Sequence, residues 1–140
     1  MLPAYRSAAQ FKFEKAVLIN KDNGLPSNDI RVITKSDDGF VWIGTRDGLC
    51  RFDGLQFHIY KPEEGNPQSL LSKDVNAVVS DKNKVWVGCS MGISVLDIYT
   101  GHFRHYQFTR KGKTDSVLLR PGMDVSSICK DAAGNIWIGT

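Results

Sequence analysis

Three histidines, three tryptophans and a set of evenly spaced aspartates are the residues of this sequence best suited to chemistry. His58 and His105 fall in two matching segments, Phe57-His-Ile-Tyr60 and Phe103-Arg-His-Tyr106, and His102 sits at the turn before the second. A metal site would need these side chains to converge. Equivalent places in successive units hold them apart, so they are expected on the surface of outer strands, with no metal bound. Asp37, Asp81 and Asp131 recur once per unit at one hairpin, and Asp53 and Asp97 recur at another. A catalytic carboxylate pair would break such a repeat, whereas Asp at a turn bonds its local backbone. Trp42, Trp86 and Trp137 could stack on sugar rings. Each lies among bulky residues with a glycine two positions on, which favours packing between layers.

No GxSxG, HExxH, phosphate-loop or GxGxxG spacing is present, so no catalytic residue and no cofactor is expected. Cys50, Cys89 and Cys129 show no CxxC spacing and read as small buried apolar residues. Ligand-reading residues are expected where equivalent loops differ between units, because a rigid scaffold carries its binding groups on loops. Arg46 and Asp47 against Ser90 and Met91 form such a place, and the segments 63–69 and 110–120 are two more.

The totals narrow the class of partner. The chain has 140 residues, 41% hydrophobic and 24% charged, close to globular averages. Its 18 basic and 15 acidic residues give a net charge of +3. The basic residues are scattered outside a patch at 110–113, which argues against a nucleic-acid partner. No run approaches the roughly 20 apolar residues that a membrane span requires. The opening MLPAYRSAAQ places Ser7-Ala8-Ala9 before Gln10, a small-residue pattern that signal peptidase accepts, so residues 1–12 read as a signal remnant or a disordered lead.

The elements that must position these residues repeat. Phe40-Val-Trp-Ile-Gly-Thr45 recurs as Lys84-Val-Trp-Val-Gly-Cys89 and as Asn135-Ile-Trp-Ile-Gly-Thr140, with the tryptophans 44 and 51 residues apart. Upstream stand Ile30-Arg-Val-Ile, Val75-Asn-Ala-Val and Val125-Ser-Ser-Ile. Asp47-Gly48-Leu matches Met91-Gly92-Ile downstream. The first unit predicts strands over 30–34, 40–45, 49–52 and 55–60, separated by Asp-Gly turns that supply the positive φ of tight hairpins. Four strands of five or six residues cannot bury both faces alone. Stacking the sheets face to face buries them, and a ring of stacked four-stranded sheets is a β-propeller. The period also suits a blade of roughly 40–50 residues. The expected fold is therefore all-β, a propeller fragment of two four-stranded antiparallel blades and the first half of a third. An incoming outer strand and linker would occupy 13–29, blade 1 30–60, a linker 61–74, blade 2 75–106, a second linker 107–124 and the partial blade 125–140. Trp42, Gly44, Gly48, Trp86, Gly88, Gly92, Trp137 and Gly139 are its repeated structural positions.

Ser36-Asp-Asp-Gly39 followed by Trp42-Ile-Gly-Thr-Arg-Asp-Gly-Leu49 resembles the bacterial two-component-regulator propeller repeat. Gly24-Leu-Pro-Ser-Asn-Asp-Ile30 resembles that family's opening of its first blade, and Asn66-Pro-Gln-Ser-Leu70 its linker before the second. The resemblance extends over about 13–140. Cys89 departs from the motif threonine, and the second unit lacks a counterpart of Gly39. The resemblance implies a periplasmic sensor region of a membrane-anchored parent, coupled to a hybrid histidine kinase and response regulator or to a diguanylate cyclase. It also implies a small-molecule ligand, with oligosaccharides as the ligand class of the best-known members. A propeller lyase and a protein-interaction scaffold are the rival readings. The inner strands show Arg31 and Asn76 and carry no His or Glu. Two and a half blades close no ring, so self-association or continuation in a longer protein is expected.

Overall fold

The computed structural model describes residues 16–106 and 124–140. The export-signal reading of 1–12 and the variable segment 110–120 lie outside the described residues. Ten strands follow in chain order: β1 (Ile30–Lys35), β2 (Val41–Thr45), β3 (Gly48–Phe52), β4 (Phe57–Tyr60), β5 (Val75–Asp81), β6 (Lys84–Cys89), β7 (Gly92–Asp97), β8 (Phe103–Tyr106), β9 (Ser127–Lys130) and β10 (Ile136–Gly139). They form two four-stranded sheets in the order β1-β2-β3-β4 and β5-β6-β7-β8, and a two-stranded sheet of β9 and β10. Every pairing is antiparallel. The fold is the expected one: two propeller blades and half of a third.

Two details differ from the sequence reading. Residues 16–29 contain no strand; Lys21–Asn23 is instead one turn of 3-10 helix. The Asn20 and Asn23 side chains cap it reciprocally and Gly24 closes it at φ 114°, so local hydrogen bonds replace a ladder. Residues 13–15 lie outside the described segment. The fourth strand of blade 1 begins at Phe57 rather than Leu55, because Asp53 Oδ1 accepts from the Leu55 and Gln56 N–H groups at 2.8 and 2.7 Å. Asp97 does the same in blade 2, accepting from Tyr99 and Thr100 at 3.0 and 3.1 Å. These two repeating carboxylates are turn formers, as their periodicity suggested.

The alternation of β2 and β6 decides how the sheets stack. Trp42 and Gly44 face blade 2, while Ile43 joins Leu25 and Cys50 in a small cluster on the other face of blade 1. Val85, Val87 and Cys89 of β6 meet Trp42 and Leu49 in the main core, together with Leu70, Val75, Leu96 and Phe103. Trp86 packs with Ile93, Val95 and Val125 towards the half-blade. At the centre of each interface a glycine lets the next inner strand approach. A Cβ on Gly44 would stand 2.7 Å from Val75 Cγ1 and 2.6 Å from Val32 Cγ1; one on Gly88 would stand 2.6 Å from Val125 Cγ1. Val75 and Val125 are completely buried by this contact, whereas their blade 1 equivalent, Ile30, is 37% exposed.

The segment between blades is fixed by side chains as well as by length. Ser94 Oγ, fully buried on β7, accepts from the Leu71 N–H at 3.1 Å and pairs with His105 Nδ1 at 3.1 Å. Ser69 Oγ accepts from the Glu63 N–H and donates to the Asn66 carbonyl. His105 is therefore half-buried under the linker, not an outer-surface residue, and desolvation lowers its pKa. The glycine contact yields a direct prediction. Gly44→Ala would overpack the interface between blades 1 and 2 and should destabilise the fold by about 1–3 kcal/mol, read by chemical denaturation. A change within about 0.5 kcal/mol would show that the strands do not approach as described.

Candidate functional site

Each inner strand opens on the same three-residue step: Asp29-Ile30-Arg31, Asp74-Val75-Asn76 and Asp124-Val125-Ser126. Val75 and Val125 turn inward to a blade interface, whereas Ile30 is exposed, and the outer two residues of each step are polar. In β1 the ladder shifts register between Ile30 and Val32, and in β5 between Val75 and Ala77, leaving Arg31 and Asn76 as bulge residues. A bulge re-aims its side chain out of the regular pleat. Arg31, Asn76, Asp124 and Ser126 consequently line one open cavity of about 330 Å3 across the starts of three inner strands.

Hydrogen bonds order this cavity across blades. Asn76 Nδ2 donates to Asp124 Oδ1 at 2.8 Å and to the Val125 carbonyl at 3.2 Å, tying blade 2 to the half-blade. Ser126 Oγ donates to the Gly139 carbonyl at 3.2 Å. In blade 1 the partner is local instead: Arg31 Nε lies 3.1 Å from Asp29 Oδ1, and Arg46 Nη1 lies 3.5 Å from Asp29 Oδ2. Asp74 Oδ1, the blade 2 equivalent, is buried with no hydrogen-bond partner among the described residues. The resulting lining offers a cation, a carboxylate, an amide and a hydroxyl at one end of the stacked sheets.

The loop residues singled out by their variation sit beside this opening. The Arg46 N–H donates to the Asp29 carbonyl at 3.1 Å, and in the same way the Ser90 N–H donates to the Asp74 carbonyl at 3.2 Å. Asp47 accepts from Lys61 Nζ at 2.6 Å, and that bond chiefly lowers its pKa. Ser90 Oγ and Ser72 Oγ stand 3.0 Å apart, and Met91 is 49% exposed. Arg46, Asp47 and Ser90 brace the loops, and none of the four lines the cavity at the inner strands. The aspartate before each inner strand was not among the residues the sequence singled out. Its signal was the recurrence of Asp one position ahead of the aligned runs.

The histidines divide. His58 and His102 both border a groove of about 440 Å3 between the outer strand of blade 1 and the β7–β8 turn, along with Arg51, Tyr60, Glu63 and Tyr99. The two residues thus border one groove between successive blades. His58 meets the Tyr60 ring edge-on at 4.6 Å between centroids. Among the described residues no three of His, Cys, Asp and Glu are grouped to hold a metal ion. Cys50 and Cys89 are buried and desolvation pushes their thiols up to about 11 and about 12, which leaves them unreactive at neutral pH. Cys129 is exposed, contrary to its expected burial, on the two-stranded sheet that has fewer neighbours.

The first hairpins are aligned one residue differently from the sequence reading. Lys35 pairs with Val41 and Lys130 with Ile136, so Ser36, not Asp37, is the structural counterpart of Asp131. Ser36 Oγ bonds Asp38 and the Phe40 carbonyl, whereas Asp131 accepts from Trp137 Nε1 at 2.8 Å and from Asn135 Nδ2 at 2.9 Å. Asp81 takes a third course, accepting from Lys130 Nζ of the next blade at 2.6 Å. Trp42 is completely buried and Trp86 partly so, both with an indole N–H that has no partner among the described residues. Trp137 is 61% exposed rather than core, because the described residues include no sheet on the face that it shares with Trp42 and Trp86.

Stacked four-stranded sheets with a polar opening at their inner strands define a β-propeller segment. Residues 24–47 and 120–140 match the two component regulator propeller family model. The matched stretches cover the first hairpins of units 1 and 3; the middle unit carries Cys89 and lacks the Gly39 counterpart. Histidine kinase P4 of Formosa agariphila is 40% identical over 50 residues, 36% of this chain and 3% of that protein. The extracellular domain of BT3049 from B. thetaiotaomicron, assigned as a hybrid two component system, superposes with a TM-score of 0.74 at 26% identity over 89% of this chain. The extracellular domain of BT4673 from the same organism, assigned as a one component system, gives a TM-score of 0.61 at 22% identity over 81% of this chain. The chain spans 17% and 16% of those two solved domains.

The Asp131 hairpin supplies a pH test. The Trp137 indole N–H, then the Asn135 side chain, hold the Asp131 carboxyl down to about 2. A depressed carboxylate stabilises its hairpin fully above the unfolded value of about 3.9 and loses that contribution as pH falls towards the folded value. The Trp137 indole N–H resonance should accordingly titrate with a midpoint near 2. A midpoint at an ordinary aspartate value would mean that the bond to Trp137 is not made.

Proposed function

We propose that this chain is part of the extracytoplasmic ligand-sensing propeller of a membrane-anchored bacterial signal-transduction protein, and that its ligand is a small oligosaccharide. The observation that carries the reading is the combination of two component regulator propeller repeats with the fold of the BT3049 extracellular domain. On this reading the anchor and the output module belong to a longer parent; no helix among the described residues is long and apolar enough to cross a membrane. The rigid stack of blades suits a sensor: ligand contacts at one end can bias how whole sheets pack, and packed interfaces shift between discrete arrangements rather than deform continuously.

The segment itself works by binding rather than by turnover. Its carboxylates at the turns are taken up by backbone N–H groups, and its buried thiols are held protonated. The polar cavity at the inner strands holds no histidine that could move a proton. Calorimetry of the complete extracytoplasmic region against defined oligosaccharides, with the mixtures then analysed by chromatography, tests this. Saturable binding with the oligosaccharide recovered intact is the expected result. Cleaved or unsaturated products would establish an enzyme instead, and no binding to any glycan would remove the sensing role.

A further inference from the structure

We propose that the side chains at the third position of the opening step of the inner strands, Arg31, Asn76 and Ser126, are the ligand-reading positions of this propeller, that the constant Asp124 borders them in the same cavity, and that they take an uncharged polyhydroxylated molecule. The proposal rests on the sensing role and adds to it a place and a chemistry.

Comparison of equivalent positions separates scaffold from reader. The step has a constant first residue, Asp29, Asp74 and Asp124, and a constant β-branched second residue, Ile30, Val75 and Val125. The second residue packs on the glycine of the preceding blade at Val75 and Val125, which explains its constancy. Its third residue is Arg, Asn and Ser in turn. A stacking requirement would impose the same type in each blade, as it does at the glycine and the valine. The third position instead changes size, charge and hydrogen-bonding sense while staying polar, and in β1 and β5 the bulge lifts it out of the ladder. Inner strands line the axis of a propeller, so three different polar groups are presented to one axial space.

The lining itself indicates the ligand class. Arg31 and Asp124 balance in charge, and Asn76 and Ser126 each offer both a donor and an acceptor. A strongly anionic ligand would meet Asp124, with Asp29 already bonded to Arg31. An apolar ligand would find no apolar side chain in this lining. A hydroxyl group donates to a carboxylate while accepting from a guanidinium or amide, and neighbouring hydroxyls of a saccharide satisfy several such groups together. The volume of about 330 Å3 falls at the small end of ligand sites, which run from roughly 300 to 1,000 Å3.

The test uses the complete extracytoplasmic region of the parent protein. Wild type, Arg31→Ala, Asn76→Ala and a control at the outer groove, His102→Ala, are titrated calorimetrically with neutral xylo-, manno-, cello- and arabino-oligosaccharides of two to six units. Uronic-acid disaccharides form a charged arm. Melting temperatures confirm that each variant is folded, and Arg31→Lys keeps the charge if Arg31→Ala does not fold. The expected result is binding of a neutral oligosaccharide that Arg31→Ala and Asn76→Ala each weaken about tenfold or more, as loss of a charged or buried hydrogen bond does. His102→Ala should bind as wild type. Wild-type affinity in both inner-strand variants overturns the proposed site while leaving the sensing role intact. Binding confined to the uronic-acid arm overturns the ligand class. Absence of binding in the wild type removes the sensing role, and this proposal with it.

Discussion

The approach of one inner strand to the glycine of the blade before it sets the geometry of everything else in this chain. Gly44 and Gly88 occupy the centre of their interfaces, and the valines that arrive there, Val75 and Val125, leave no room for a Cβ. Any larger residue would push the sheets apart at their inner edge, where every sheet must converge if a ring is to form. The neighbouring tryptophan fills the wider part of the same interface: Trp42 stacks on Tyr60 with ring centroids 6.0 Å apart, and Tyr60 meets Phe103 of the next blade. A small residue inside and large aromatics outside make a wedge. Wedges are what turn stacked sheets into a propeller.

The polar end of the molecule depends on that contact. Val75 and Val125 are each flanked by an aspartate on one side and a variable polar residue on the other, so seating the valine also fixes where those two side chains emerge. The carbonyl of the aspartate that opens the step receives the N–H of a later turn of its own blade, Asp29 from Arg46 in blade 1 and Asp74 from Ser90 in blade 2. Cross-blade bonds such as Asn76 to Asp124 and Lys130 to Asp81 run over the same interface. A ligand that bridged Arg31, Asn76 and Ser126 would therefore act on three blades whose separation is set a few ångströms away.

Much of the fold was legible because repetition places the same physical requirement in the same register each time. Trp-x-Gly, the Asp turns at Asp53 and Asp97 and the β-rich runs sufficed for the blades and for their antiparallel order. Contacts that involve the segments between blades were not legible. His105 looked like a surface residue because its strand alternates as an outer strand does, and only the descent of the linker onto Ser94 buries it. The hairpin alignment failed by one residue because Asp37 and Asp131 share a letter but not a register, and pairing, not letter, determines which side chain reaches the tryptophan. The site was half legible. Arg31 and Asn76 were visible as polar residues on inner strands, but the bulges that re-aim them leave no mark in composition. The loop residues Arg46, Asp47, Ser90 and Met91 vary as binding residues do, yet three of them are engaged in bracing the turns around the opening.

The contact between blades is open to direct measurement through a double-mutant cycle on Gly88 and Val125. Alone, Gly88→Ala overpacks the interface and Val125→Ala leaves a cavity, and each should destabilise the protein in chemical denaturation. Combined, the alanine introduced at Gly88 gains room as Val125 Cγ1 is removed. The double variant should then be more stable than the sum of the two single losses predicts, by roughly 0.5–3 kcal/mol. Simple additivity would mean that the glycine and the valine do not meet, and would contradict the stacking on which the propeller rests.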